Sequence, residues 1–209
     1  MKPTSNNTIR PILIGITGGI GSGKSYICHQ LEQTGHHVFY CDDVAKQIIR
    51  TQADVKRELT ALVGPDVYDA AGQLVKSVLA AYLCRGTDYS HRIDQIVHPR
   101  VAAAFKQQAA LLRPSTPTTL ECDEKVISLQ LLQQLPTDGV LFMECALLFE
   151  SGFDQLVDKS VVVHVSQETQ LKRLIGRDHI SREKALRWIS LQLAEDVKVG
   201  RADYVINNE

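Results

Sequence analysis

A glycine-rich stretch near the amino terminus carries the clearest chemical signal in the sequence. From Gly18 to Ser25 the chain satisfies G-x-x-x-x-G-K-[ST], a pattern in which backbone N–H groups surround a polyphosphate. Glycines suit this task because a Cβ would block the approach of phosphate or forbid the backbone angles. A chance glycine turn is the alternative, but the apolar strand before the loop and the helical segment after it favour phosphate binding. The predicted nucleotide-binding residues here are Gly18, Gly19, Ile20, Gly21, Ser22, Gly23, Lys24, Ser25 and Tyr26.

Two residues of this stretch have side chains with a predicted chemical role. Lys24 is expected to reach the β- and γ-phosphates of a nucleotide, where its charge also makes it a catalytic candidate. The Ser25 hydroxyl is expected to take a place on Mg²⁺. Both sit at the start of a helix, where unpaired N–H groups and the helix dipole favour negative charge.

Asp42 is the candidate for orienting or deprotonating an acceptor hydroxyl. It follows a short apolar strand over 37–41, and strand, helix, strand predicts a right-handed unit with parallel strands. Ligands of such sheets bind at the carboxyl ends of the strands, so Asp42 is expected on the same edge as the glycine loop. Helix capping is the competing interpretation for Asp42 and Asp43, and it suits Asp43 better.

Glu144 is the second candidate carboxylate. It closes the apolar strand 140–143, a placement that can orient Mg²⁺ or its waters beside a phosphate loop. An acidic residue that merely ends a strand is the simpler alternative.

A basic helical tract supplies further candidate cations. Arg173 and Arg177 are four residues apart and share one helix face, from which two guanidinium groups can clamp phosphoryl oxygens. Arg187 follows in the next helical segment, which Ser181 is expected to cap. A solvated amphipathic surface is the alternative, and we prefer it for Lys172, whereas phosphoryl transfer needs cations beyond Lys24.

The spacing of the elements predicts an α/β protein. Five short strands with intervening helices favour a three-layer P-loop fold with a five-stranded parallel sheet, a helical substrate lobe and a lid. The predicted core comprises 1–43, 139–171 and 199–209, and the lid comprises 172–198. Residues 44–112 are expected to form the helical lobe, with a break at His98-Pro99, and 113–138 to form a surface excursion.

Composition excludes several classes of protein. The formal net charge of -1 offers no global attraction to nucleic acid or to an acidic membrane. No apolar run reaches the ~20 residues of a transmembrane helix, and the polar start Met1–Thr8 lacks the apolar segment of a signal peptide. Five scattered cysteines favour reduced thiols and a cytoplasmic location. We therefore predict small-molecule partners, without a prediction of oligomeric state.

Taken together, these motifs resemble the dephospho-coenzyme A kinase family along almost the whole chain. Besides the glycine loop, the resemblance rests on the segments Cys41–Ala45, Ile93 with His98-Pro99, Leu147–Glu150, Gln170 with Arg173 and Arg177, and Ala202–Asn208. The P-loop is common to many kinases and NTPases, and the order and spacing of the other five make the resemblance specific.

The resemblance implies ATP-dependent phosphorylation of the ribose 3′-hydroxyl of dephospho-coenzyme A, with Mg²⁺. By position, Asp42 matches the family residue that orients the acceptor, and Asn208 the residue near the adenine. Lys76 and His98 match positions of the substrate lobe. Tyr40, Tyr26, Ala146 and Lys76 depart from the family's usual Asp, Thr, Pro and Arg.

Two other functions stay open at this point. One is a P-loop kinase for another small hydroxyl acceptor, such as a nucleoside or a sugar. The other is a nucleotide-binding protein without catalysis, because a fold by itself does not determine function.

Overall fold

The computed structural model describes residues 9–209, so the prediction of a flexible polar lead at Met1–Thr8 lies outside the described residues. The chain divides into two compact units. The first contains the chain up to Phe39 together with Gln108–Glu209, and the second is Tyr40–Gln107.

A five-stranded sheet carries the glycine loop. The strands are β1 (Ile12–Thr17), β2 (His37–Tyr40), β3 (Val140–Glu144), β4 (Lys159–His164) and β5 (Tyr204–Asn207), and their order is β2-β3-β1-β4-β5. The pairs β1–β3, β1–β4 and β4–β5 are parallel, which confirms the predicted fold class.

Nine α-helices connect the strands within the described residues. They are α1 (Lys24–Gln33), α2 (Cys41–Thr51), α3 (Ala53–Val63), α4 (Lys76–Leu83), α5 (Thr87–Leu111), α6 (Leu129–Gln133), α7 (Gln167–Asp178), α8 (Arg182–Ser190) and α9 (Glu195–Arg201). Two short 3₁₀ turns, Pro65–Val67 and Phe153–Leu156, complete the elements. None of these helices combines the length and the apolar composition that crossing a membrane would require.

Both faces of the sheet are covered. Every residue of β3 is buried, and Val161–Val163 of β4 have no exposed surface. Successive strand residues point to opposite faces, so a strand that is buried throughout must have helices on both sides. This is why β3 and β4 are nearly continuous apolar runs in the sequence.

The helix ends follow the local sequence. Ser166 and Ser181 are the N-cap residues of α7 and α8, and their hydroxyls accept the N–H groups of Thr169 and Lys184. Gly35 lies just beyond α1 with a φ of 88°, a conformation that glycine adopts without steric cost.

The predicted break at His98-Pro99 is wrong. α5 runs without interruption from Thr87 to Leu111, and Pro99 lies inside it. A proline removes one helical hydrogen bond and strains the preceding turn. Here the helix is held by the burial of one apolar face, whose members are Ile93, Val97, Val101 and Phe105. Tertiary packing therefore outweighs the local signal.

The segment 113–138 also differs from the predicted surface excursion. Leu120, Ile127 and Leu132 are buried, the last completely. The N–H of Ile127 donates to the carbonyl of Val205 at 2.9 Å, and the N–H of Val205 donates to the carbonyl of Lys125 at 2.8 Å. The segment thus covers the free edge of β5, whose unpaired backbone groups need partners.

In the second unit, ion pairs and one half-buried tyrosine join the helices. Arg100 contacts Asp54 at 2.8 Å and Glu58 at 2.5 Å. The hydrogen bond from Arg100 lowers the pKa of Asp54. The Tyr68 hydroxyl donates to the carbonyl of Ile49 at 2.7 Å, and burial raises the pKa of Tyr68. Arg100 thus joins α5 to α3, and Tyr68, which follows the turn after α3, joins that turn to α2.

Candidate active site

The glycine loop leaves β1 at Thr17 and enters α1 at Lys24. Gly18, Gly21 and Gly23 have φ values of 152°, 82° and 94°, which other residues rarely adopt. A Cβ on Gly18 would lie 2.4 Å from the carbonyl oxygen of Val163 on β4. Glycine is therefore needed here both for the backbone angles and for the close packing of the loop against the neighbouring strand.

Lys24 holds this loop from the inside. Its side chain is almost wholly buried, and Nζ donates to the carbonyl of Gly18 at 2.9 Å and to that of Gly19 at 3.5 Å. The ammonium group thus lies within the loop that the sequence predicts to bind phosphate. Ser25 and Tyr26 follow in the exposed first turn of α1, with Tyr26 60% exposed.

A cavity of about 350 Å³ opens against the loop. Its size falls within the range of small-ligand sites. Its lining is cationic and rich in backbone N–H groups, which suits an anionic ligand. The lining residues are Ile20, Gly21, Gly23, Lys24, Ser25, Arg173 and Arg177. Arg187, on an exposed part of α8, is not among them.

Arg173 and Asn208 hold the outer side of the loop. The Arg173 guanidinium donates to the carbonyls of Ser22 at 3.1 Å, Gly21 at 3.4 Å and Asn208 at 2.7 Å. The Asn208 amide donates to the carbonyl of Ser22 at 2.8 Å. The structure therefore gives Arg173 a role in shaping the loop, and its contact with phosphate stays a prediction.

Arg177 lines the same cavity one helical turn after Arg173. Its guanidinium is paired with the adjacent Asp178 through two hydrogen bonds, of 3.0 and 2.7 Å. This pairing raises the pKa of Arg177 and lowers that of Asp178. Much of the Arg177 side chain is exposed, so the pair is a surface contact that a phosphate can replace at small cost.

Glu144 ends β3 at the edge where the glycine loop begins. In the parallel register it lies beside Ile16 of β1, and the next N–H, that of Cys145, donates to the Ile16 carbonyl at 3.0 Å. The Glu144 side chain is 8% exposed. Residues 9–209 contain no group of three or more His, Cys, Asp or Glu side chains that could hold a metal ion by itself.

Asp42, Lys76 and His98 belong to the second unit. Asp42 is exposed in the first turn of α2, directly after β2. The N-cap position of α2 is Tyr40, so neither Asp42 nor Asp43 caps the helix. Asp43 instead pairs with Lys46 at 2.9 Å.

The other two residues lie on separate helices. Lys76 is the exposed first residue of α4. His98 lies within α5, with its Nε2 3.4 Å from Asp94.

Three residues at the loop received no role from sequence reasoning. The Gln192 side chain accepts the N–H of Ile20 at 2.7 Å. Gln170, buried on α7, and Glu195, at the start of α9, lie so close to Gly19 that a Cβ there would be 2.2 and 3.1 Å from their side chains. Polar residues at helical spacing look like a solvated face, so no spacing pattern distinguishes Gln192 or Glu195, and Gln170 is singled out only by the family resemblance.

The strand order, the glycine loop and the cationic cavity define a P-loop phosphotransferase. A family model described as dephospho-CoA kinase matches residues 12–122 and 125–209. The chain belongs to the dephospho-CoA kinase family.

Individual relatives agree with this assignment. The chain is 35% identical over 198 residues to a dephospho-CoA kinase of Bacteroides fragilis, which covers 95% of this chain and 85% of the relative. It is 32% identical over 197 residues to one of Fusobacterium nucleatum, covering 94% and 89% of the two chains.

Solved structures are similar in fold. The crystal structure of TT1252 from Thermus thermophilus is 27% identical, with a TM-score of 0.72, covering 96% of this chain and 90% of the other. A dephospho-CoA kinase from Campylobacter jejuni is 21% identical, with a TM-score of 0.60, and the two chains are covered to 94% and 87%. The second likeness concerns the fold alone.

Proposed function

We propose that this chain transfers the γ-phosphoryl group of ATP to the ribose 3′-hydroxyl of dephospho-coenzyme A, giving coenzyme A and ADP. The observation that carries the proposal is the cationic cavity on the glycine loop, in a chain of this family. Phosphoryl transfer needs little covalent chemistry from the protein, so positioning and charge stabilisation supply most of the catalysis.

In this proposal the loop from Gly18 to Ser25 holds the phosphates of ATP. Lys24 exchanges its loop carbonyls for phosphate oxygens and offsets the charge that develops in transfer. Arg173, Arg177 and Arg187 belong to a lid, 172–198, that closes over the phosphates and excludes water. Asn208 would lie near the adenine. Its side-chain amide also supports the loop by donating to the carbonyl of Ser22.

We propose that Ser25 and Glu144 hold Mg²⁺, directly or through water. The donor set fits this ion, since Mg²⁺ is usually bound by one or two protein groups, substrate phosphates and several waters. Ser25 and Glu144 would supply two oxygen donors near the ends of β1 and β3, and this small number of protein ligands agrees with that pattern. When bound, Mg²⁺ would neutralise phosphate charge.

Asp42 is the proposed orienting group for the acceptor hydroxyl. What supports this role is that Asp42 is an exposed carboxylate in the first turn of α2, directly after β2. The segment 44–112, with Lys76 and His98, is the proposed lobe for the acceptor. Five scattered cysteines and a net charge of -1 support a cytoplasmic enzyme that acts on a small molecule, without nucleic-acid or membrane partners.

A coupled ADP-release assay with ATP, Mg²⁺ and dephospho-coenzyme A tests the proposal. We expect turnover that Lys24→Ala abolishes and that Asp42→Asn lowers ~10²-fold, the size of a positioned acid–base contribution. Asp43→Asn is the matched control, because Asp43 is the adjacent carboxylate and pairs with Lys46. It should leave turnover near normal.

Three outcomes would contradict parts of this scheme. Release of ADP with a nucleoside or sugar, but not with dephospho-coenzyme A, would favour another hydroxyl acceptor. Tight ATP binding without transfer to any acceptor would favour a non-catalytic nucleotide-binding protein. Near-normal turnover of Asp42→Asn would remove that residue from its role.

A further inference from the structure

A buried lysine behind the glycine loop has no role in the scheme above. Lys198 lies in α9 and has no exposed surface. Among residues 9–209, no atom forms a hydrogen bond with its Nζ. An ammonium group without hydrogen bonds is costly in the interior, so a lysine used only for packing would be better replaced by an apolar residue.

The charged neighbours of Lys198 are the carboxylates of Glu150 and Glu195. Burial lowers the pKa of Lys198, and the two carboxylates oppose that shift. Each of them is bound elsewhere. Glu150 accepts the N–H of Leu193 at 3.0 Å, and Glu195 contacts Nδ1 of His164 at 3.1 Å. Lys198 thus interacts electrostatically with two carboxylates, of which Glu150 holds Leu193 and Glu195 begins α9.

The connection between α8 and α9, residues 191–194, touches the glycine loop. Gln192 precedes Leu193, and its Oε1 accepts the N–H of Ile20 at 2.7 Å. Glu195 approaches the loop from the same side, where its Oε2 lies 3.1 Å from the position of a Cβ on Gly19. Two consecutive residues of the loop, Gly19 and Ile20, are thus bounded by the side chains of Glu195 and Gln192.

We propose that Lys198 is a positioning residue for the phosphate-binding loop. Its charge attracts the carboxylates of Glu150 and Glu195, and Glu150 in turn holds Leu193 by accepting its N–H. Gln192 is in turn held on the Ile20 N–H, so that Gly19 and Ile20 adopt the conformation that receives ATP. Lys198 touches neither nucleotide nor acceptor and acts through these side chains. The inference rests on the proposed function, since ATP is taken as the phosphoryl donor.

The test separates a positioning role from a packing role. Lys198→Met keeps the length of the side chain and removes the charge, so the melting temperature should stay the same or rise. Despite this, kcat/KM for ATP should fall roughly 10-fold, because small displacements of a binding group cost one to two orders of magnitude. KM for the acceptor should be unchanged. Lys198→Arg, which keeps the charge, should restore most of the loss.

Two further variants complete the experiment. Lys125→Met removes an exposed lysine outside the proposed lid and acceptor lobe and should change neither property. Gln192→Ala, at a half-exposed position, should lower kcat/KM for ATP by a similar factor. The double variant with Lys198→Met should have a kcat/KM for ATP little lower than either single variant. Should Lys198→Met fail to fold, Gln192→Ala still decides, since an unchanged kcat/KM for ATP in that variant overturns the proposal.

Other outcomes are equally decisive. A lower melting temperature with unchanged ATP kinetics in Lys198→Met would assign the lysine to packing alone. Equal losses for ATP and acceptor would show a general disturbance of the fold. Titration with a fluorescent ATP analogue keeps this question apart from the proposed function, because loop positioning is measurable even if dephospho-coenzyme A is not the acceptor.

Discussion

At Gly23 both the backbone conformation and a neighbouring side chain oppose the addition of a Cβ. Gly23 is the N-cap of α1, with φ 94° and ψ 20°, in the left-handed region. A Cβ built there would lie 2.2 Å from the Asn208 amide nitrogen. That amide donates to the Ser22 carbonyl at 2.8 Å, so a methyl group at Gly23 must displace it.

The cost of Gly23→Ala can be worked out from these two facts. A left-handed conformation costs alanine roughly 1–2 kcal/mol, and a lost intramolecular hydrogen bond about 0.5–1.5 kcal/mol. The free energy of unfolding should therefore fall by roughly 2–3 kcal/mol. For a protein of this size, 1 kcal/mol corresponds to about 2–4 °C, which predicts a fall in melting temperature of roughly 5–10 °C.

Thermal unfolding without ATP measures the loss of stability, and unfolding with ATP measures how far the altered loop still binds nucleotide. Saturating nucleotide should stabilise the unaltered protein by about 2.7 kcal/mol at 100 times its dissociation constant, and clearly less in Gly23→Ala. Gly176→Ala is the matched control, since Gly176 lies within α7 with nothing inside 4 Å of the added methyl group. That variant should be more stable than the unaltered protein by ~0.5–1 kcal/mol.

A double variant tests the cause. In Asn208→Ala the displaced amide is already absent, so adding Gly23→Ala should cost only the left-handed contribution. The two changes should therefore be less than additive, by about 1 kcal/mol. Full additivity, or a loss no larger than in Gly176→Ala, would refute the reasoning from the Gly23–Asn208 contact.

Two further predictions concern stability away from the site. Asp158 accepts hydrogen bonds from Arg10 and from the N–H of Leu13, and the Arg10 bond chiefly lowers its pKa. Its stabilisation is present above its unfolded pKa of about 3.9 and is lost as the pH falls through the lower folded value. Asp158→Asn should thus lower the free energy of unfolding by about 1–2 kcal/mol at pH 7 and reduce its dependence on pH below about pH 4. An unchanged pH dependence in that range would contradict this account. Leu132→Ala, in the segment that covers β5, should cost about 2–5 kcal/mol in denaturant unfolding, against under ~0.5 kcal/mol for exposed Leu111→Ala. Equal losses would mean that the segment does not pack as a core.

The sequence predicts the glycine loop because its chemistry is local. Gly18 to Ser25 are consecutive, and Gly18, Gly21 and Gly23 each have a positive φ that other residues rarely adopt. The strands are equally visible, since β3 and β4 are buried on both faces and contain nearly continuous apolar runs. The class of the sheet and the phosphate loop therefore follow from the order of the residues alone.

The structure decided what depends on residues far apart in the chain. Gln192 meets Ile20 across 172 positions, and no spacing rule relates a glutamine in a polar tract to a loop N–H. Pro99 lies inside a helix because burial of Val97 and Val101 outweighs a lost hydrogen bond. Local sequence determines which backbone shapes are possible, whereas packing determines which side chains meet, because contact free energies depend on the whole fold.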